Sequence, residues 1–162
     1  MTHSQKILIR RAELIDNDGI IKLLMQIAEL HHKNRPDIFK EGSKKYNKDE
    51  FEAMLKDETR PVFVAVDENN TVLGYCFCMI IKYTAHSVIK DYSSLYIDDF
   101  CVDENCRGQG VGKKLFTEVK EYAKQTNVYN IDLNVWEFNE NAMKFYEKCG
   151  FKTQRRRLEI IL

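Results

Sequence analysis

The feature that most restricts this chain is a junction. The strand-like run Leu95 to Val102 leads into the glycine-rich segment Arg107-Gly-Gln-Gly-Val-Gly112, and Val111, Leu115, Val119 and Tyr122 then recur at helical spacing. A strand that passes through a tight turn into a helix is half of a strand–helix–strand unit. Ile131 to Val135 supplies the next strand, which places a parallel pair in the sheet. Glycines let a backbone approach a ligand closely, and the N–H groups of a helix's first turn point outward as donors. The helix dipole favours an anion at the same place by about 0.3–1 kcal/mol. The junction therefore reads as a phosphate site rather than a bare connection, since ordinary turns rarely need glycine at 108, 110 and 112 together.

The rest of the chain arranges itself around that unit. Ile7 to Arg11 reads as a first strand, and Asp16 or Asn17 can cap a helix whose apolar face is Ile20, Leu23, Leu24, Ile27 and Leu30. A break at Asn34 to Gly42 precedes a second helix, Lys48 to Asp57. Val62 to Val66, the turn Asp67-Glu-Asn-Asn70, and Thr71 to Tyr83 form a hairpin. Ala85 to Ser93 reads as a loop, Asn141 to Lys148 as a helix, and Phe151 to Leu162 as a closing strand. The expected fold is α/β: a mixed, splayed central sheet with antiparallel N-terminal strands and a parallel pair, flanked by about four helices.

Bulk properties exclude several classes. At 162 residues, without a repeat or linker, the chain is expected to be a single domain, 1–162. Lysine plus arginine (25) balances aspartate plus glutamate (25), so a nucleic-acid backbone is not the expected partner. No run approaches the roughly 20 apolar residues that span a bilayer, and Met1 to Lys6 is polar, so no membrane and no export is expected. The five cysteines form no C-x-x-C pair and the four histidines are scattered. That argues for small core thiols, no metal and a cytoplasmic setting.

Three glycine patterns compete for the junction. A dinucleotide fingerprint wants glycine where Lys113 stands, and Asp132, at the distance of a ribose-binding acid, is then coincidental. A Walker loop wants glycine at 107 and serine or threonine at 114, where the chain has arginine and lysine. The third, Q/R-x-x-G-x-G/A, is met by Arg107, Gly110 and Gly112, and downstream come Asn139-Glu-Asn-Ala142 and Phe145-Tyr-Glu-Lys-Cys-Gly-Phe151. With these two motifs in order, the chain resembles the GNAT superfamily of acyl-CoA-dependent N-acyltransferases over nearly its whole length.

The resemblance implies a transferase (an acyltransferase) that moves acetyl from acetyl-CoA, its co-substrate, to a primary amine by direct attack in a ternary complex. It implies a splayed strand pair with the pantetheine arm in the gap. Backbone groups of Phe100, Cys101 and Val102 would face that arm. Amides of Arg107, Gly108, Gln109, Gly110, Val111 and Gly112 would hold the pyrophosphate, with Lys113 completing the turn. Asn139 would contact pantetheine, although its position also suits a helix cap. Tyr146 would face the sulfur and act as general acid. Tyr96-Ile-Asp-Asp-Phe100 is similar to a strand of polyamine acetyltransferases that carries the base at the position of Asp98. The base is Asp98, Asp99 or a water held by one of them; neighbours on a strand face opposite ways, so only one of the two is expected in the cleft, and the resemblance favours Asp98.

The acceptor is expected to be a small amine, with a protein or peptide amine, or a non-catalytic acyl-CoA-binding module, as the alternatives. His31 and His32, near a helix end, read as surface or capping groups, yet His31, Arg35 and Asp37 fall in the region that lines the family's acceptor pocket and are candidates for specificity. Arg155-Arg-Arg157 reads as an exposed strand face. Dimers are common in the family, and Leu158 to Leu162 would suit the interface of a homodimer.

Overall fold

The computed structural model describes residues 6–162. Of the polar start read above, Met1 to Gln5 lies outside the described residues. The order of elements is β1 (Leu8–Arg11), α1 (Asn17–Asn34), α2 (Lys48–Leu55), β2 (Val62–Val66), β3 (Val72–Tyr83), β4 (Tyr92–Val102), α3 (Val111–Gln125), β5 (Asn130–Leu133) and α4 (Glu140–Lys148). The strands form one sheet in the order β1-β2-β3-β4-β5. The first three pairings are antiparallel and β4–β5 is parallel. No described helix is long and apolar enough to cross a membrane.

Strand alternation divides the core between the two faces of the sheet. Val62, Val64, Val66, Tyr75 and Phe77 pack with Ile20, Leu23, Leu24, Phe51 and Met54 of α1 and α2. Phe63, Cys76, Cys78, Leu95 and Ile97 pack with Leu115, Phe116, Val119 and Ala123 of α3. The periodic stripes read from the sequence are these buried faces. Ladder pairing carries β4 back to Tyr92, so part of the expected 85–93 loop is strand.

Helix starts are fixed by local chemistry. Asn47 caps α2 by accepting from the Glu50 amide at 2.9 Å, while Glu50 Oε2 accepts from the Asn47 amide at 2.8 Å. Asp16 precedes α1, but its side chain does not cap the helix. Its buried carboxylate accepts from Arg10 at 2.7 and 2.9 Å and from the Glu13 amide at 2.8 Å, which ties β1 to the entrance of α1.

The closing strand expected over Phe151 to Leu162 does not form; these residues carry no regular structure. Phe151 packs against Phe116 and Tyr146. Six polar residues follow it, and Leu158, Ile160, Ile161 and Leu162 lie exposed. With no apolar side chain after Phe151 buried, nothing offsets the entropy of ordering a strand along β5. Arg155 to Arg157 is exposed as expected, though not as a strand.

Candidate active site

The parallel pairing of β4 with β5 runs from Ser94↔Asn130 to Ile97↔Leu133 and stops there, while β4 continues to Val102. Beyond Ile97 the two strands part, and the edge of β4 is left open toward β5. The direction of each β4 residue follows from the ladder. The Asp103 amide donates to the Leu73 carbonyl at 2.9 Å, and in an antiparallel ladder alternate residues turn to the same neighbour. Cys101 therefore turns its backbone to β3, and Phe100 and Val102 turn theirs to the gap. The Cys101 side chain is buried on the α1 face, with Sγ 3.8 Å from the Leu23 carbonyl, and burial pushes its thiol up to about 12.

A β-bulge at Asp98 organises the head of the gap. Phe77 pairs with Asp99 and Cys78 with Ile97, so Asp98 is the extra residue. Leu95 and Ile97 pack on the α3 face, as does Phe100, whereas Cys101 packs on the α1 face. The alternation thus changes phase across Asp98 and Asp99. Both carboxylates face α1 and α2, which corrects the expectation that they point to opposite sides. Tyr46 donates to Asp98 Oδ2 and Tyr75 to Asp99 Oδ1 at 3.1 Å. Lys45 Nζ lies 3.2 Å from Asp98 Oδ1 and 3.7 Å from Asp99 Oδ2. Burial raises the Asp99 carboxyl above the usual range, against the opposing pull of the Lys45 ammonium and the Tyr75 hydroxyl.

Tyr146 lies on the other face of β4. Its ring is 6.1 Å from that of Phe100 and 5.4 Å from that of Phe151, each edge-on. Burial, the largest cause, raises the phenol above its ordinary value, so it holds its proton at neutral pH. Asn139 caps α4 by accepting from the Ala142 amide at 3.2 Å, the structural half of its expected role.

The glycine turn opens at the mouth of the gap. Gly108 (φ +77°) and Gly110 (φ +83°) adopt left-handed backbone, and a Cβ at either would meet open space. Conformation requires glycine at both positions. Gly112 has another reason: a Cβ there would come within 3.1 Å of the Phe145 ring, so its absence lets α3 pack against α4. Asn47 and Asn139 cap α2 and α4, but Gly110 gives α3 no side-chain cap. The first-turn amides of Val111, Gly112 and Lys113 are therefore left for an outside acceptor. Val111 itself is buried, while Arg107, Gln109 and Lys113 are exposed. Arg107 Nε donates to the Val102 carbonyl at 3.4 Å and Gln109 Nε2 to the Asn105 carbonyl at 3.1 Å. Uncapped amides, left-handed glycines and an open strand edge are the chemistry that a pyrophosphate joined to an amide-bearing arm needs.

An aromatic wall, unseen in the sequence, closes the α1 side of the gap. His31 stacks on Phe39 at 4.8 Å, Phe39 meets Trp136 at 5.3 Å, and Trp136 stacks on Phe138 at 5.8 Å. Burial lowers the His31 pKa, with the Lys45 charge adding to it, so the imidazole is neutral at pH 7. Arg35 lies over Trp136 and pairs with Asp37 and Glu159. His32 bonds the Phe39 carbonyl at 2.8 Å, a turn-holding role. Asp132 bonds the Ser94 hydroxyl between strands. Tyr46, Tyr75 and Lys45 were likewise missed. Tyr75 lies on β3, beside the strand β4 that carries the two acids, but the bulge that brings it to Asp99 leaves no mark in the sequence. Among the described residues, no group of His, Cys, Asp or Glu is gathered to hold a metal.

The comparisons with known proteins match this fold. A crystal structure of a mutant of the BH1408 protein from Bacillus halodurans superimposes with a TM-score of 0.92 at 32% identity, covering 96% of this chain and 99% of that one. A peptidyl-lysine N-acetyltransferase of Escherichia coli (strain K12) is 30% identical over 113 residues, 66% of this chain and 64% of the relative. A glucosamine 6-phosphate N-acetyltransferase of Trypanosoma brucei brucei is 33% identical over 67 residues, 41% of this chain and 44% of the relative. The aligned chain thus spans less than two thirds of either curated relative. The model of the acetyltransferase (GNAT) family matches residues 24–151, from the middle of α1 to the end of the α4 turn. The strand parting at Ile97, the uncapped glycine turn and the match over most of its length make this chain a member of the GNAT acetyltransferase family.

Proposed function

We propose that the protein is an acetyl-CoA-dependent N-acetyltransferase acting on a small primary amine. The observation that carries this reading is the juxtaposition at the end of the β4–β5 ladder. An open strand edge and uncapped α3 amides lie on one side of the opening, and Asp98 and Asp99 lie beside it. Val111 to Lys113 amides bind the pyrophosphate, with Arg107 and Lys113 supplying positive charge at the mouth. Phe100 and Val102 offer backbone groups to the pantetheine arm. When bound, acetyl-CoA supplies an acyl thioester at the bulge.

An alkylamine of pKa about 10.4 is almost entirely protonated at neutral pH, and only the neutral form attacks a carbonyl. Asp98 takes the proton, directly or through a water, and Asp99 holds the cation in place. The Val102 N–H faces the gap and stabilises the developing oxyanion. Tyr146 hands its proton to the departing thiolate. A polar head held by two acids beside a wall of aromatic rings suits an ammonium carried on a short carbon chain.

The test is incubation with acetyl-CoA and a panel of polyamines, amino acids, amino sugars and lysine peptides, with acetylated product read by mass spectrometry. Product from small amines supports the reading. Product from peptides alone moves the acceptor to protein lysines, and tight acetyl-CoA binding without any product reduces the site to a binding module.

A further inference from the structure

Among the described residues, Lys45 is the one ion-paired lysine that faces two carboxylates. Lys33–Glu29, Lys56–Glu52, Lys124–Glu121 and Lys144–Glu140 join exposed side chains one turn apart on a single helix, and Lys22 meets one acid, Asp103, at 3.8 Å. Lys45 lies on the irregular segment between α1 and α2 and reaches a strand 53 residues away. Its Nζ donates to the Asp98 carbonyl at 2.8 Å and lies 3.2 Å from Asp98 Oδ1 and 3.7 Å from Asp99 Oδ2. A primary ammonium of the chain itself thus sits on three oxygens of the bulge, at the point where β4 and β5 part. Its side chain is still 41% exposed, and no helix or strand holds it there.

Taking the cleft to be an acetyl-CoA site, we propose that Lys45 is an internal acceptor: the protein acetylates its own Lys45 Nζ, and this frees Asp98 and Asp99 for an external amine. The Asp98 carboxylate takes a proton from the Lys45 ammonium. The neutral Nζ then forms its bond to the acyl carbon as the carbon–sulfur bond breaks. The Tyr146 hydroxyl protonates the thiolate, Asp98 gives its first proton up to solvent, takes the second from nitrogen and passes that one back to the Tyr146 phenolate. The products are Nε-acetyl-Lys45 and free CoA thiol, with one net proton released to solvent once Tyr146 is reprotonated. The amide formed carries no charge and cannot bridge two carboxylates. The segment then leaves the bulge, and the pair of acids faces incoming amine. Lys45 is both the first substrate and the plug that the reaction removes.

The full chain is incubated with acetyl-CoA and no amine, and its peptides are followed by mass spectrometry. Lys45 is expected to gain an acetyl group about tenfold or more faster than exposed Lys124 or Lys152, the advantage of a tethered nucleophile. The rate per molecule does not change on dilution of the protein. Lys45→Arg keeps the charge, loses this modification and still binds acetyl-CoA in calorimetry. The acetylated chain shows a lower KM for a small primary amine than Lys45→Arg does. Labelling of Lys45 no faster than Lys124, or at a rate that rises with protein concentration, overturns the proposal. If acetyl-CoA binds and an added amine is acetylated while Lys45 stays unmodified, the inference falls and the reading of the cleft stands. If calorimetry finds no binding, both fall.

Discussion

Tyr146 and Asp99 carry the two sharpest expectations at the scale of single residues. The Tyr146 phenol is raised by burial and keeps its proton, so it is available as an acid. Tyr146→Phe is expected to lower turnover by roughly 10²–10⁴ while acetyl-CoA affinity, read by calorimetry, is unchanged. The Asp99 carboxyl is raised in the folded chain by burial, despite Lys45 and Tyr75, and further by Asp98. A folded-state value above the unfolded one, about 3.9, means that the folded chain binds the proton more tightly. Its contribution to stability is full below that unfolded value and is lost as pH rises through the folded one. Asp99→Asn cannot ionise and lacks this decline. In urea titrations from about pH 4 to about pH 7, the difference in stability should move in the variant's favour as pH rises.

At the scale of elements, the chemistry depends on how α3 starts and where β4 bulges. Gly110 combines a left-handed φ with open space at its Cβ, so Gly110→Ala meets a purely conformational cost. A loss of about 1–2 kcal/mol in urea denaturation is expected, together with weaker acetyl-CoA binding as the first-turn amides shift. The strand–turn–helix junction was legible in the sequence because glycine spacing and helical periodicity are local signals. The bulge was not, because an extra residue in a ladder appears only when β3 lies alongside. That is why Asp98 and Asp99, expected to diverge, share one face. The failed closing strand has the same origin: alternation in Leu158 to Leu162 resembles a strand, but a strand forms only against a partner that buries it.

The molecule as a whole is held by packing on both faces of one sheet and by a buried tie at its first strand. Asp16 is 2% exposed and takes both guanidinium nitrogens of Arg10, while burial and hydrogen bonding leave little room for water. Asp16→Ala leaves that guanidinium facing a cavity and should cost about 3 kcal/mol, the low end for breaking a buried pair, as read from a chemical denaturation curve. On the proposed site, acetyl-CoA should raise stability by about 2.7 kcal/mol at a hundredfold excess over its dissociation constant, visible as a concentration-dependent rise in melting temperature. An unchanged melting temperature under those conditions would count against the cleft as a nucleotide site.

By itself the sequence determined what is local or periodic: the four helices, five of the six expected strands and the Arg107–Gly112 turn. These follow from hydrophobic spacing, from caps and from the demand for glycine at positive φ. The tertiary structure alone decided which distant side chains meet. Tyr46, Tyr75 and Lys45 converge on the two acids, and His31, Phe39, Trp136 and Phe138 build a wall from two segments about a hundred residues apart. Such meetings depend on strand register and on the phase change at Asp98, and both arise from pairing across the sheet rather than from any window of the chain.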